Sequence, residues 1–222
     1  MNKSLFTSNL VRAELMVALV IAGTLIANLA SASDSSYRMA RYSKAKLAFS
    51  QWATGCTLYK KEYGAYLPNL AKSYDSSKDV LHKLNEDGKS LAFVKCLSGK
   101  NLNGTSLGSG VAGDRVKFNR QAMEFYAFTP DDFFNYSSRD DAWQLKPLLQ
   151  DAFGNTAVRV CFDLNNDGRM SGLDAILPDR ILPAGTAEGI PGRVIIFTTY
   201  REVGGDNQKL DSKDAADIVV IQ

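Results

Sequence analysis

One short segment of this 222-residue sequence has the residue types and spacing of a cation-binding loop. Calcium takes six to eight oxygen ligands, and a twelve-residue loop supplies them from positions 1, 3, 5, 7, 9 and 12. The segment from Asp163 to Asp174 fits this template, with Gly168 at position 6 for the sharp turn and Met170 at position 8 as an apolar anchor. The matching ligands are Asp163, Asn165, Asp167, the Arg169 carbonyl, Ser171 and Asp174. The segment therefore predicts a Ca²⁺ site, the alternative being an acidic turn that binds nothing.

The composition argues against most catalytic sites. His82 is the one histidine of the chain, whereas zinc hydrolases, Ser-His-Asp triads and Cys-His pairs all need a histidine placed by partner residues. The three cysteines, Cys56, Cys96 and Cys161, show no CxxC spacing. A formal net charge of +2 is too small for a protein that binds nucleic-acid phosphates. We therefore expect neither an enzyme nor a nucleic-acid-binding protein.

The N-terminal region contains an apolar stretch from Leu15 to Ala30. As a helix it would extend roughly 24 Å, which is short for a membrane span. One interpretation is a cleavable secretory signal, with Ala30-Ser31-Ala32 as the cleavage site. Glu14 argues against it, because a carboxylate beside an apolar segment is costly unless it finds a partner. We therefore expect the protein to retain this segment and to use the acid.

Residues 35–63 have apolar side chains at mostly three- and four-residue steps, which predicts an amphipathic helix. Together with the preceding stretch, the pattern predicts one helix from about Leu10 to Tyr63, extending about 75 Å. Its apolar first half would protrude, and such a surface is stable only in lipid or among copies of itself. Gly64 and Pro68 are typical of a helix end. We expect Trp52, Tyr59 and Tyr63 to pack in a core.

The sequence around Glu14 resembles the start of type IV pilin-like subunits, a family that includes the type II secretion pseudopilins. In that family the glutamate neutralises the N-terminal amine of a neighbouring subunit. The resemblance places leader cleavage by a prepilin peptidase between Asn9 and Leu10, although the family prefers Gly and Phe at these positions. It divides the chain into a leader-like segment (1–9), an apolar half-helix for the filament core or membrane (10–33), and a globular pilin-like domain (34–222).

The carboxyl-terminal part also resembles the major pseudopilins. A turn at Asp151–Asn155 precedes an alternating strand at Val158–Phe162, and further strands are predicted at Arg193–Thr198 and Ile218–Ile221. In the family, the loop before the last strand holds a structural calcium ion. The alternative metal ligands in that loop are Asp206, Asp211, Asp214 and Asp217. Either acidic loop, or both, would then bind calcium.

The intervening region contains three further predicted elements. Val80–Leu84 and Leu91–Leu97 have the pattern of short helices, and Met123–Phe128 has that of a strand. Cys56 and Cys96 could form a disulfide if the domain lies outside the cytoplasm. The predicted fold class is α+β, with the long N-terminal helix packed on a small antiparallel sheet, as in pilins and pseudopilins.

The resemblance implies a structural subunit of a pilus-like or pseudopilus filament, held by its apolar helix and stabilised by Ca²⁺. Its partners would be copies of itself or related subunits and the inner-membrane assembly machinery. The domain would lie outside the cytoplasm. The alternative function is that of a secreted calcium-dependent binding module with a cleaved signal. It rests on Asp174, which replaces the usual Glu at position 12 and makes the loop resemble dockerin calcium repeats.

Overall fold

The structure is a computed structural model, and it describes residues 35–68, 70, 79–86, 88–102, 104–108, 113–134, 148–171, 189–198 and 218–222. The chain divides into two compact units, residues 1–41 and residues 42–222. In the first unit, the described residues 35–41 are helical, and the guanidinium of Arg41 lies 4.7 Å from the ring centroid of Tyr37. The features described below belong to the second unit unless stated otherwise.

Helix α1 occupies residues 35–63, as the periodicity predicts. Its buried side chains in the second unit lie on one face of the helix, most of them three or four residues apart: Ala45, Phe49, Trp52, Ala53, Cys56 and Tyr59. The helix ends at Gly64, which adopts a left-handed φ of 75° and donates its N–H to the Lys60 carbonyl at 2.8 Å. A glycine at this position avoids the steric cost that a Cβ atom would add. The predicted helix end is therefore confirmed.

Trp52 is the centre of an aromatic cluster in the core. It is fully buried, and its ring contacts those of Phe49, Phe93, Tyr126 and Phe128 at centroid distances of 5.3 to 6.2 Å. Such aromatic pairs add to the free energy gained from burial alone. The core-packing prediction is thus confirmed for Trp52, and also for Tyr59, which is 4% exposed.

The remaining elements are short. The helices are α2 (Lys89–Ser98), α3 (Asp114–Phe118) and a 3₁₀ turn (Pro130–Asp132). The strands are β1 (Val80–Lys83), β2 (Phe133–Phe134), β3 (Leu148–Leu149), β4 (Arg159–Phe162), β5 (Arg169–Met170), β6 (Ile190–Pro191), β7 (Val194–Thr198) and β8 (Ile218–Ile221). The predicted helix at Leu91–Leu97 and the last three predicted strands are confirmed within one or two residues.

Four strands form one antiparallel sheet in the order β1-β4-β7-β8. The side chains of its central strands point alternately into two cores, because successive side chains of a strand lie on opposite faces of the sheet. Val160 and Phe162 join the core that contains the buried face of α1, whereas Cys161 belongs to a smaller cluster with Met170 and Phe197. The α+β fold class and the packing of a long helix on a small antiparallel sheet are therefore confirmed.

The turn at Asp151–Asn155 is also confirmed, and the Asp151 side chain holds it in place. Oδ1 of Asp151 accepts hydrogen bonds from the N–H groups of Phe153 and Asn155 at 2.8 and 3.0 Å. Oδ2 accepts the Thr198 hydroxyl at 2.9 Å. One buried carboxylate therefore closes the turn and fastens it to β7.

Two sequence predictions are wrong. Val80–Leu84 is predicted as a helix but contains strand β1, because a five-residue segment is too short to show a helical period and the pairing with β4 decides its conformation. Met123–Phe128 is predicted as a strand but forms none. The N–H groups of Phe125 and Tyr126 both donate to the Leu97 carbonyl, and the apolar residues of this segment serve the aromatic cluster instead of a sheet.

Within the described ranges, no helix combines the length and the apolar character needed to cross a membrane. The apolar stretch at 15–30 lies outside those ranges.

Candidate metal centre

The predicted calcium loop begins directly after β4 and includes β5, and the backbone between these two strands is tightly turned. Gly168 adopts a left-handed φ of 80°, and Asn166 adopts one of 61°. Two side chains cap successive turns, because Asn165 Oδ1 accepts the Asp167 N–H at 3.1 Å and Asp167 Oδ1 accepts the Arg169 N–H at 2.7 Å. Asn and Asp favour such local bonds to the backbone. The sharp turn that the sequence predicts at Gly168 is confirmed.

Asp163, at position 1 of the loop, carries a buried carboxylate that is only half satisfied. The residue is 1% exposed, and its Oδ2 accepts the Gly168 N–H at 3.1 Å. Its Oδ1 is buried and has no hydrogen-bond partner among the described residues. A buried charged oxygen without a partner is costly, and native structures rarely leave one unsatisfied. A cation bound at Oδ1 would remove this cost.

The other predicted ligands have different surroundings. Asn165 and Asp167 lie at the exposed tip of the loop, where Asn165 Nδ2 donates to Asp167 Oδ2 at 2.9 Å. Arg169 lies in β5, so its carbonyl belongs to the stem of the loop. In the part of the chain that the structure describes, no three His, Cys, Asp or Glu side chains converge on one point. A site here would therefore also need amide, carbonyl and hydroxyl oxygens, which calcium accepts.

Asp79 is part of this site, although it lies far from the loop in sequence. Its Oδ1 accepts the Leu164 N–H at 3.1 Å, and its Oδ2 accepts the Ser171 N–H at 2.9 Å. The sheet register explains this position, because Val80 lies opposite Phe162 and the residues just outside that pair become neighbours. No sequence motif links an acid to a loop 84 residues downstream, so the sequence analysis missed it.

Lys60, near the end of α1, is a second missed residue. Its Nζ donates to Asn166 Oδ1 and lies 4.1 Å from the ring centroid of Tyr66. Burial lowers the pKa of Lys60, and the charge of Asp163 acts in the opposite direction. A cavity of about 350 Å³ lies at this junction and is bordered by Lys60, Tyr66, Leu164 and Asn166. The end of α1 thus contacts the loop directly.

The three cysteines are buried free thiols. Burial raises the pKa of Cys56, and a repulsive contribution from Cys96 acts in the same direction. Burial also raises the pKa of Cys161, to about 12. A thiol in such surroundings stays protonated and is a poor nucleophile. The disulfide that the sequence allows between Cys56 and Cys96 is not formed in this structure, and it stays a prediction for an oxidising compartment.

Several predicted site residues lie outside the described residues. They are Asn9, Leu10 and Glu14 near the N-terminus, Asp174 at the end of the calcium loop, and Asp206, Asp211, Asp214 and Asp217 of the alternative loop.

Comparison with known proteins gives no family for this chain. No protein-family model matches it. No curated protein and no solved structure shows a significant match.

Proposed function

We propose that this chain is a structural subunit of a type IV pilin-like filament, closest to a type II secretion pseudopilus. The observation that carries the proposal is helix α1, which occupies residues 35–63 and follows the apolar stretch 15–30 within a few residues. The buried face of α1 packs on an antiparallel sheet, and the helix ends at the Gly64–Pro68 segment. An amphipathic helix that follows an apolar stretch suits a subunit that joins others through that stretch.

Glu14 would neutralise the N-terminal amine of a neighbouring copy inside the filament. The apolar stretch would lie in the inner membrane before assembly, with the remaining domain outside the cytoplasm. Partners would be copies of this chain or related subunits, the inner-membrane assembly machinery, and a prepilin peptidase acting between Asn9 and Leu10. A buried acid is tolerated in apolar surroundings only when it is paired, which is why Glu14 bears the assembly role.

Calcium would brace the globular part. Asp163 is the anchor of the site because its Oδ1 is buried and unpartnered, while Asn165, Asp167, the Arg169 carbonyl, Ser171 and Asp174 would supply the other oxygens. A bound divalent ion would neutralise these acids and hold the loop between β4 and β5 in one conformation. The role is structural and includes no chemical step.

Substituting Glu14 by Ala is expected to prevent incorporation into filaments while leaving the domain folded, because it removes the charge that pairs with the neighbouring amine. Incorporation is measured in the native host as the fraction of the protein recovered in sheared filaments. The control is Glu62→Ala, which removes an exposed acid near the carboxyl-terminal end of α1, where Glu62 accepts a hydrogen bond from Gln121 at 2.9 Å. Normal incorporation of Glu14→Ala would refute the assembly role.

A further inference from the structure

The carboxylate of Asp79 connects the beginning and the end of the described part of the loop. Its two oxygens accept the N–H groups of Leu164 and Ser171, positions 2 and 9 of the predicted calcium template. Two oxygens of one carboxylate are held at a fixed separation, so these two backbone amides are held close together. Hydrogen bonds to a charged acceptor are also stronger than those between neutral groups.

This contact lies outside the sheet ladder. The β1–β4 pairing begins at Val80 and Phe162, and Asp79 and Leu164 lie beyond it. The bonds from Asp79 reach past the end of β4 to Leu164 and past the end of β5 to Ser171. They therefore define the width of the loop mouth, which the ladder itself does not control.

Directly before the segment that Asp79 bridges, Asp163 has a buried Oδ1 without a partner among the described residues, and Gly168 donates its N–H to the other oxygen of that carboxylate. A site of this kind binds a cation tightly only if its oxygens are already held in place, because ordering them during binding costs free energy. Both oxygens of Asp79 accept hydrogen bonds from backbone amides, so Asp79 acts on the loop backbone.

We propose that Asp79 is the positioning residue that holds residues 163–171 in the conformation that binds calcium. The proposal rests on the calcium site proposed above. Residues that orient metal ligands without touching the metal typically change its affinity by about 10- to 100-fold when they are substituted.

The test compares Asp79→Asn with wild type in calorimetric calcium titrations of the full chain in a mild non-ionic detergent. Asn removes the charge and one of the two acceptors at constant size. We expect calcium affinity to fall about tenfold or more. The control, Asp131→Asn, removes an exposed carboxylate that pairs with Lys44 at 2.7 Å, and we expect its affinity to stay within about twofold of wild type, since the charge lost there lies at an exposed, solvent-screened position.

Amide hydrogen exchange in the calcium-free protein gives a second readout. The Leu164 and Ser171 amides should exchange faster in Asp79→Asn than in wild type, whereas a purely electrostatic role for Asp79 leaves them unchanged. Wild-type affinity in Asp79→Asn, or unchanged exchange at both amides, would overturn the positioning role alone. Absence of calcium binding in wild type would overturn the calcium site, and the positioning role with it.

Discussion

Calcium is expected to raise the melting temperature of this protein, and Asp163→Asn is expected to abolish most of that increase. A ligand that binds only the folded state stabilises it by about 2.7 kcal/mol at a concentration of one hundred times Kd. For a domain of this size that corresponds to about 5 to 10 °C. Magnesium should act weakly, because it demands a more rigid octahedral arrangement of ligands.

The variant Asp163→Asn tests the effect of the bound ion on stability separately from any effect on the calcium-free fold. Asn keeps the size of the side chain and one acceptor for the Gly168 N–H, but it removes the charge that the buried Oδ1 carries without a partner. The calcium-free variant should therefore melt close to the calcium-free wild type. The control Asp131→Asn should retain the full response.

Thermal melts with calcium, magnesium and a chelator distinguish the two acidic loops. If Asp163→Asn keeps the full calcium response, the alternative loop containing Asp206 and Asp217 binds the ion. If wild type shows no response to calcium, both assignments are wrong.

Acid is expected to destabilise the protein through His82, which lies in β1 and is 6% exposed. Its Nε2 has no hydrogen-bond partner within the described residues. Burial, together with a smaller effect of the Lys89 charge, lowers the pKa of His82 from 6.5 to about 4. Between about pH 6.5 and 4, His82 is therefore protonated in the unfolded chain and neutral in the folded protein. The stabilising contribution of neutral His82 is fully present above pH 6.5 and is lost as the pH falls towards 4.

The expected loss between about pH 7.5 and about pH 4.5 is on the order of 2 to 3 kcal/mol. Burial also raises the pKa of Asp132, and protonation of that carboxyl acts in the opposite direction. Comparison with His82→Phe cancels this effect because Asp132 is present in both proteins. The measurement is the free energy of unfolding by urea at both pH values. Equal pH dependence in the two proteins would contradict the assignment.

Local patterns predicted the elements whose conformation is decided locally. The period of α1, the glycine at its end, the alternating pattern of β4 and the β-branched runs of β7 and β8 each fix a backbone conformation within a few residues. The helix prediction for Val80–Leu84 failed because a five-residue segment is compatible with both helix and strand, and only the distant pairing with β4 selects the strand. The strand prediction for Met123–Phe128 failed because the aromatic residues of this segment have the sequence pattern of a strand but pack on Trp52 instead.

The residues of the candidate metal centre fall into the same two groups, those that a local pattern reveals and those that only the tertiary fold brings together. The loop positions of Asp163, Asn165, Asp167 and Gly168 follow a local spacing rule, and their turn conformation was predicted. Asp79 and Lys60 come from β1 and α1, and they reach the loop only through the tertiary fold. Residues that act through long-range contacts carry no local signal, so the sequence could not reveal them.

The mature N-terminus tests the filament proposal most directly, because the proposal requires that the protein retain Glu14 and the apolar stretch 15–30. Intact-mass and N-terminal peptide measurements on the protein from its native host give this terminus. We predict a mature chain that begins at Leu10. A mature chain that begins at Ser33, directly after Ala32, would contradict the filament role and favour the secreted calcium-dependent module with a cleaved signal.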